Sequence, residues 1–210
     1  MDLLLFRKPI QNIDLGYGIT LPIFKGPIGL LSSGGADSTL LMYFLMKYHT
    51  NKLVVYTVAE QAKHFTTAKS SAQVIDKCAK LTGKTDIEHR VKYVPVKTAK
   101  SVYSKPRLDI IAHKINALYE GMTNNPSEDI GNNGQHNRNP LIKKSIIEYK
   151  THVQPFINVD KKIIASLYKK YKLQNLFNLT RSCETFEDIG LKHCGECWWC
   201  KERKWGFGKI

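Results

Sequence analysis

Leu30-Leu31-Ser32-Ser33-Gly34-Gly35-Ala36-Asp37-Ser38 is the stretch from which this chain is best read. Apolar Ile28, Leu30 and Leu31 run into it, and the helical pattern Thr39, Leu40, Leu41, Met42, Phe44, Leu45 runs out of it. The pattern predicts a strand over 26–33, a glycine turn, and a helix over 37–49. Two glycines let the backbone turn sharply and come close to a ligand. The N–H groups at the helix start then face outward beside the positive end of the helix dipole. With the hydroxyls of Ser33 and Ser38, such a loop suits phosphate oxygens.

Two common phosphate loops are excluded. The Walker type needs a lysine after its second glycine, and none follows here. The dinucleotide type needs G-x-G-x-x-G. Ser33-Gly-Gly-Ala-Asp-Ser38 instead resembles the Ser-Gly-Gly-x-Asp-Ser signature of the PP-loop pyrophosphatases. That resemblance implies cleavage of ATP between its α and β phosphates, with adenylation of a substrate.

Outward from the loop, strands alternate with helices. Residues 1–25, punctuated by Pro9, Gly16, Gly18 and Pro22, predict a short β-ribbon or an extended lead-in over a sheet edge. Leu53 to Val58 is a continuous apolar run that fits a strand buried on both faces. A helix follows over Thr66–Thr82, its stripe Ala68, Ala72, Ile75 and Ala79, its stop Gly83, with Cys78 in the core. A third strand is expected over Val91–Val96, then a helix starting at Pro106 and reaching Leu118. Tyr119–Met122 reads as a short strand and Asn124–Pro140 as one long polar loop. Leu141–Tyr149 reads as helix, Thr151–Phe156 as strand, and Asp160–Tyr171 as a helix capped by Asp160. The order predicts an α/β fold with a doubly wound parallel sheet, whose ligands bind at the carboxyl ends of the strands. The chain is expected to be a single domain over 1–210, with 181–210 as a metal-binding subregion.

The balance of 32 Lys+Arg against 18 Asp+Glu gives a net charge of +14. It suits an anionic partner, a nucleotide or a nucleic acid. The basic residues are dispersed, which does not favour direct nucleic-acid binding. No apolar run approaches the ~20 residues of a membrane helix. Leu3-Leu4-Leu5-Phe6, preceded by Asp2, is too short for a signal-peptide core. A cytoplasmic protein is expected.

Four of the five cysteines, Cys183, Cys194, Cys197 and Cys200, fall in the last 28 residues. Two-residue gaps let neighbouring thiolates turn onto one ion. In a reducing compartment the pattern reads as a closed, structural Zn²⁺ site, its charge offset by Lys192, His193, Lys201, Arg203 and Lys204. Ferredoxin-like iron–sulfur spacing would need a further cysteine at position 204, which is Lys204. Trp198 and Trp199 either cover the metal, pack at a subunit interface or stack on a base.

The loop and the cysteine element together resemble the 7-cyano-7-deazaguanine (preQ0) synthases over residues 27–207. Between the ends, Tyr119-Glu-Gly121-Met-Thr-Asn124 through Asp129 is similar to the family's Gly-x-Asn-x-x-Asp segment. Gln154-Pro155-Phe156 and Lys161-Lys162 resemble its Pro-Leu strand and Ser-Lys helix, and Thr180-Arg181-Ser182-Cys183 its Thr-x-Ser-Cys approach to zinc. Departures fall at Glu60-Gln61-Ala62-Lys63-His64, one residue longer than the family's Gly-Gln-Arg-His, and at Pro106-Arg107-Leu108 in place of Gly-Arg-Asn. The family's Tyr-Pro-Asp-Cys-Arg element has only Arg138 as a candidate counterpart.

The resemblance implies an ATP-dependent ligase that joins ammonia to 7-carboxy-7-deazaguanine and yields the nitrile. Ser33, Asp37 and Ser38 would be catalytic, and Ser32, Ser33, Gly34, Gly35, Ala36, Asp37 and Ser38 would hold ATP. Asp37 would either bind Mg²⁺ or orient the loop, and it also fits a helix cap. Gln61, His64, Arg107, Asp129 and Arg138 would contact substrate, Cys183, Cys194, Cys197 and Cys200 would hold zinc, and the chain would tend to dimerise. Two other readings stay open: a thiolase-like PP-loop enzyme acting on tRNA, and a zinc-stabilised nucleotide-binding module.

Overall fold

The computed structural model describes residues 8–131 and 152–210. The helix expected over 141–149 and the candidate Arg138 lie outside the described residues.

The lead-in is a ribbon: β1 (Gln11–Gly16) and β2 (Ile19–Ile23) pair antiparallel. Leu15, Ile19, Leu21 and Ile23 point from it into the main core. Tyr119 in the sheet donates its hydroxyl to the Pro22 carbonyl at 2.7 Å, which ties ribbon to sheet.

The sheet has five parallel strands: β3 (Ile28–Leu31), β4 (Leu53–Glu60), β5 (Ile87–Val94), β6 (Leu118–Glu120) and β7 (His152–Val153). Their order is β5-β4-β3-β6-β7. The chain lays strands outward from β3 on one side, then returns to lay β6 and β7 on the other. The reversal opens a crevice between the carboxyl ends of β3 and β6, where ligands of such sheets bind.

Both faces of β4 are buried, as its unbroken apolar run requires. Leu53 and Val55 enter a core shared with α1 (Ala36–Tyr48), α2 (Thr66–Thr82), α4 (Lys161–Lys170) and α5 (Gln174–Phe177). Val54 and Tyr56 enter a second core with Leu31, Ile115 and Leu118, covered by Val102, Tyr103 and Ile110. Helix α1 is buried on several sides, from Leu40 and Leu41 to Phe44 and Leu45, because sheet and helices enclose it. Cys78 is fully buried, and burial pushes its thiol up to about 12. Asp160 caps α4 as expected, accepting from the N–H groups of Lys162 at 2.9 Å and Ile163 at 3.2 Å.

Several boundaries differ from the sequence reading. Strand β5 begins at Ile87 rather than 91, because it pairs with β4 along its whole length. Helix α3 (Ala99–Ile111) begins after Thr98, with Pro106 in its interior. A reciprocal Thr98–Ser101 capping box sets that start, so the proline has lost its expected place at the first turn. The chain leaves α3 through His113 at φ 54°, and Ile115 belongs to the turn back towards β6. At α1 the cap is Gly35, so Asp37 lies inside the first turn and is not the cap.

Candidate active site

A cavity of about 350 Å³ opens at the crevice between β3 and β6. The loop after β3 forms one wall, and Glu120 to Thr123 after β6 form the opposite one. Of the loop, Ser32, Ser33, Gly35, Ala36, Asp37 and Ser38 line it. Gly34 turns behind at φ +71°, where a Cβ would overlap the Ser70 side chain. Its carbonyl accepts from the Ser70 hydroxyl at 3.2 Å and from the Arg181 N–H at 2.8 Å, so the loop is held from two directions.

The loop's own hydrogen bonds are long. Ser33 and Ser38 hydroxyls stand 3.4 Å apart, and the Gly35 N–H reaches Ser33 Oγ at 3.3 Å. Such contacts are near the limit of hydrogen bonding, and phosphate oxygens offer these donors better partners. The first N–H groups of α1 have no carbonyl one turn back and add to the same field. Behind the loop the bonds are short. Ser71 donates to Ser32 Oγ at 2.8 Å, Thr57 donates to Ser71 Oγ at 2.9 Å, and His89 Nε2 lies 3.0 Å from Thr57 Oγ1. This chain of hydroxyls runs from β5 through β4 and α2 to the loop. Burial lowers the pKa of His89 from its ordinary value.

Asp37 pairs through Oδ2 with Lys161, delivered by the first turn of α4. Its Oδ1 is buried and has no hydrogen-bond partner among the described residues. A carboxylate oxygen so placed at the cavity wall fits a divalent cation. Lys161 is also 3.7 Å from Glu202 on α6 (Trp198–Phe207). Gly206 of α6 lies against it, so closely that a methyl there would overlap the Lys161 Cβ.

The C-terminal segment reaches the cavity through Arg181 to Glu184. Arg181 is buried and donates to the Cys183 carbonyl at 2.5 Å and to Thr66 Oγ1 at 3.1 Å. Arg203 donates to Thr180 Oγ1 at 2.8 Å and to the Phe177 carbonyl at 3.2 Å, with its guanidinium 4.0 Å from the Phe177 ring centre. The ligand atoms of Cys183, Cys194, Cys197 and Cys200 lie within 4.8 Å of one another. Four sulfurs about 2.3 Å from one ion stand roughly 3.8 Å apart, so the cluster fits a tetrahedral ion. Cys194 and Cys200 sulfurs are already 3.9 Å apart. The Cys194 N–H points at Cys183 Sγ and the Cys197 N–H at Cys194 Sγ, as N–H groups do towards thiolates. Burial opposes ionisation of Cys194, but the N–H groups of Cys197 and Glu196 overcome it and bring the thiol to about 7. His193 accepts the Ser182 N–H at 3.2 Å through Nε2. Trp199 lines the cavity, with its ring edge-on to Trp198 at 4.9 Å.

Four sequence candidates are placed elsewhere. Gln61 is exposed on the 3-10 turn Gln61–Lys63. His64, at φ 52°, lies 3.1 Å from the Phe186 carbonyl. Arg107 packs against the Tyr103 ring at 5.6 Å, and Asp129 accepts from the Gly131 N–H at 2.8 Å. None of the four lines the cavity. The 3-10 turn, followed by left-handed His64 and Phe65, presents Lys63 inward in place of its neighbours.

Residues that do line the cavity without having been singled out include Lys63, Lys97, Tyr103 and Glu120. Glu120 accepts from the Tyr103 hydroxyl at 2.8 Å and from Gln154 Nε2 at 2.6 Å, with His152 Nε2 3.1 Å away. Against its burial, these partners hold Glu120 below the usual carboxylate range. Lys161 and Arg181 had a signal in the sequence, since both sit in segments that resemble the synthases. Glu120 also lies in such a segment, at the end of β6.

A family model described as "Queuosine biosynthesis protein QueC" matches residues 136–210. That segment holds all four clustered cysteines with Lys161, Arg181 and Arg203, but not the phosphate loop. No curated protein sequence matches the chain. Among solved structures, NMN synthetase from Francisella tularensis superposes with TM-score 0.47 at 10% identity, over 87% of this chain and 77% of that one. The U34-tRNA thiolase NcsA from Methanococcus maripaludis, described with its [4Fe-4S] cluster, gives TM-score 0.42 at 14% identity, over 86% and 80%. No helix among the described residues is long and apolar enough to cross a membrane.

Proposed function

We propose that this chain, with its QueC-like C-terminal segment, is an ATP-dependent enzyme that converts 7-carboxy-7-deazaguanine and ammonia to 7-cyano-7-deazaguanine. The observation that carries the reading is the family match over residues 136–210, because it falls on the cysteine cluster and on the lysine that meets the phosphate loop. The loop at the sheet's switch point supports the ATP half of the chemistry independently.

In this reading the substrate carboxylate attacks the α-phosphorus of ATP and pyrophosphate leaves. Ammonia then displaces AMP and gives the amide. A second ATP adenylates the amide oxygen, and loss of that AMP gives the nitrile. The protein needs no nucleophile of its own; it positions the reactants and stabilises charge. The N–H groups of Gly35 and Ala36 and the hydroxyls of Ser32, Ser33 and Ser38 hold the departing pyrophosphate, while Gly34 shapes the turn behind them. Lys161 supplies a fixed positive charge beside them. Asp37 would hold Mg²⁺ through its open Oδ1, and the metal would neutralise phosphate charge there. Zinc at Cys183, Cys194, Cys197 and Cys200 would be structural, since four thiolates leave it no open position. The segment 181–210 then acts as a subregion of one domain.

Incubation with ATP, Mg²⁺, ammonia and 7-carboxy-7-deazaguanine, followed by mass spectrometry, tests the reaction. Nitrile and amide products with AMP are expected. Their absence from an enzyme that binds ATP would refute the acceptor and leave the ATP site standing.

A further inference from the structure

We propose that Lys63 and Lys97 form an oxyanion subsite of the cavity, which the chain's own Glu184 occupies until a substrate carboxylate or phosphate displaces it. All three residues line the cavity. The two oxygens of Glu184 are divided between the two lysines, Oε2 at 2.5 Å from Lys63 Nζ and Oε1 at 3.3 Å from Lys97 Nζ. An incoming carboxylate, or two oxygens of a phosphate, makes the same pair of contacts.

The supports of the three groups differ. Lys63 is 14% exposed and also pairs with Glu60 at 3.1 Å, itself 7% exposed. The other oxygen of Glu60 accepts the Lys97 N–H at 3.0 Å. Glu60 does not line the cavity and braces both lysines from behind. Glu184 is 33% exposed; its backbone is held through the neighbouring Cys183, but its side chain can swing outward by rotation about its own bonds. The carboxylate is therefore the partner free to leave. With Glu184 in place, two lysines face two glutamates and the wall is neutral. With it withdrawn, the wall carries one net positive charge and can take an anion.

This subsite does not depend on the deazaguanine reading, because it recognises an oxyanion whatever ring bears it. Glu184→Gln keeps the shape and removes the competing charge. Calorimetric titration with ATP and, separately, with 7-carboxy-7-deazaguanine is expected to show about three- to tenfold tighter binding of one of them, the gain of a surface-level charge effect. Tightening of ATP alone assigns the site to phosphate, and tightening of the acid alone assigns it to the acceptor carboxylate. Unchanged or weaker binding of both overturns the proposal. Lys97→Met, at a partly exposed position, is expected to weaken the same ligand several-fold, and equal binding by that variant overturns the proposal as well. Failure to make nitrile while ATP tightens would remove the acceptor reading and leave this subsite.

Discussion

Lys161 on α4 closes an ion pair with Asp37 on α1, 124 residues away in sequence, at the edge of the glycine loop after β3. The side chains are 8% and 14% exposed, so neither charge has much water to fall back on. Removing one partner of a buried pair leaves the other uncompensated and costs about 3–5 kcal/mol. Lys161→Met is therefore expected to lower stability in urea by about that amount and to abolish AMP formation. Asp37→Asn with Lys161→Met should recover part of the stability, since Glu202 still loses Lys161, and none of the activity. Full stability in the Lys161→Met single variant would show that the pair contributes little to the fold.

The hydroxyl chain behind the loop gives a second expectation. Thr57→Val keeps the volume of Thr57, removes the donor to Ser71, which keeps its bond to Ser32, and takes away the partner of His89 Nε2. A buried polar group so stranded costs about 1–3 kcal/mol. Because the chain ends on Ser32, the loss is expected to reach the loop and raise KM for ATP more than it lowers kcat. A variant with unchanged KM would confine the chain to a structural role.

These two networks mark where the sequence was readable and where it was not. The apolar run of β4 announced a strand buried on both faces, and the two cores on either side of it bear this out. The glycines and serines of the loop and the two-residue cysteine gaps are local patterns, visible without the fold. The cavity-facing lysines are different. Lys63 points inward because a 3-10 turn and two left-handed residues rotate it there, and nothing in Gln61-Ala62-Lys63-His64 favours Lys63 over its neighbours. The start of α3 was hidden for a related reason: Thr98 and Ser101 make a capping box without the usual Glu or Gln, while Pro106 gave the louder but misleading signal.

Acid sensitivity should trace to His49, which is 3% exposed and whose Nε2 has no partner among the described residues. Burial, with Lys84 as a second cause, lowers its pKa from 6.5 to about 4. Between those values the unfolded chain takes up a proton that the folded chain refuses. The contribution of His49 is thus complete above pH 6.5 and is lost as pH falls towards about 4. Urea unfolding at stepped pH should show wild-type stability falling through this window, with a shallower fall for His49→Gln. Identical slopes would remove His49 from the acid response.

The cysteine cluster and the glycine loop after β3 are mechanically joined, so loss of a metal held by the cluster should be felt at both. Cys183 follows Arg181 by two residues, and the Arg181 N–H holds the Gly34 carbonyl at 2.8 Å. Arg181 also grips the Cys183 carbonyl through its guanidinium, so displacement of the cysteine pulls on the residue that braces the loop. Elemental analysis is expected to find one zinc per chain and no iron. Cys197→Ser should lower metal content and thermal stability together, and should weaken ATP binding although residue 197 does not line the cavity. A variant that loses its metal and melts earlier, yet binds ATP as before, would separate the two sites. Stoichiometric iron with visible absorption would replace zinc by an iron–sulfur cluster and reopen the thiolase reading of the same fold.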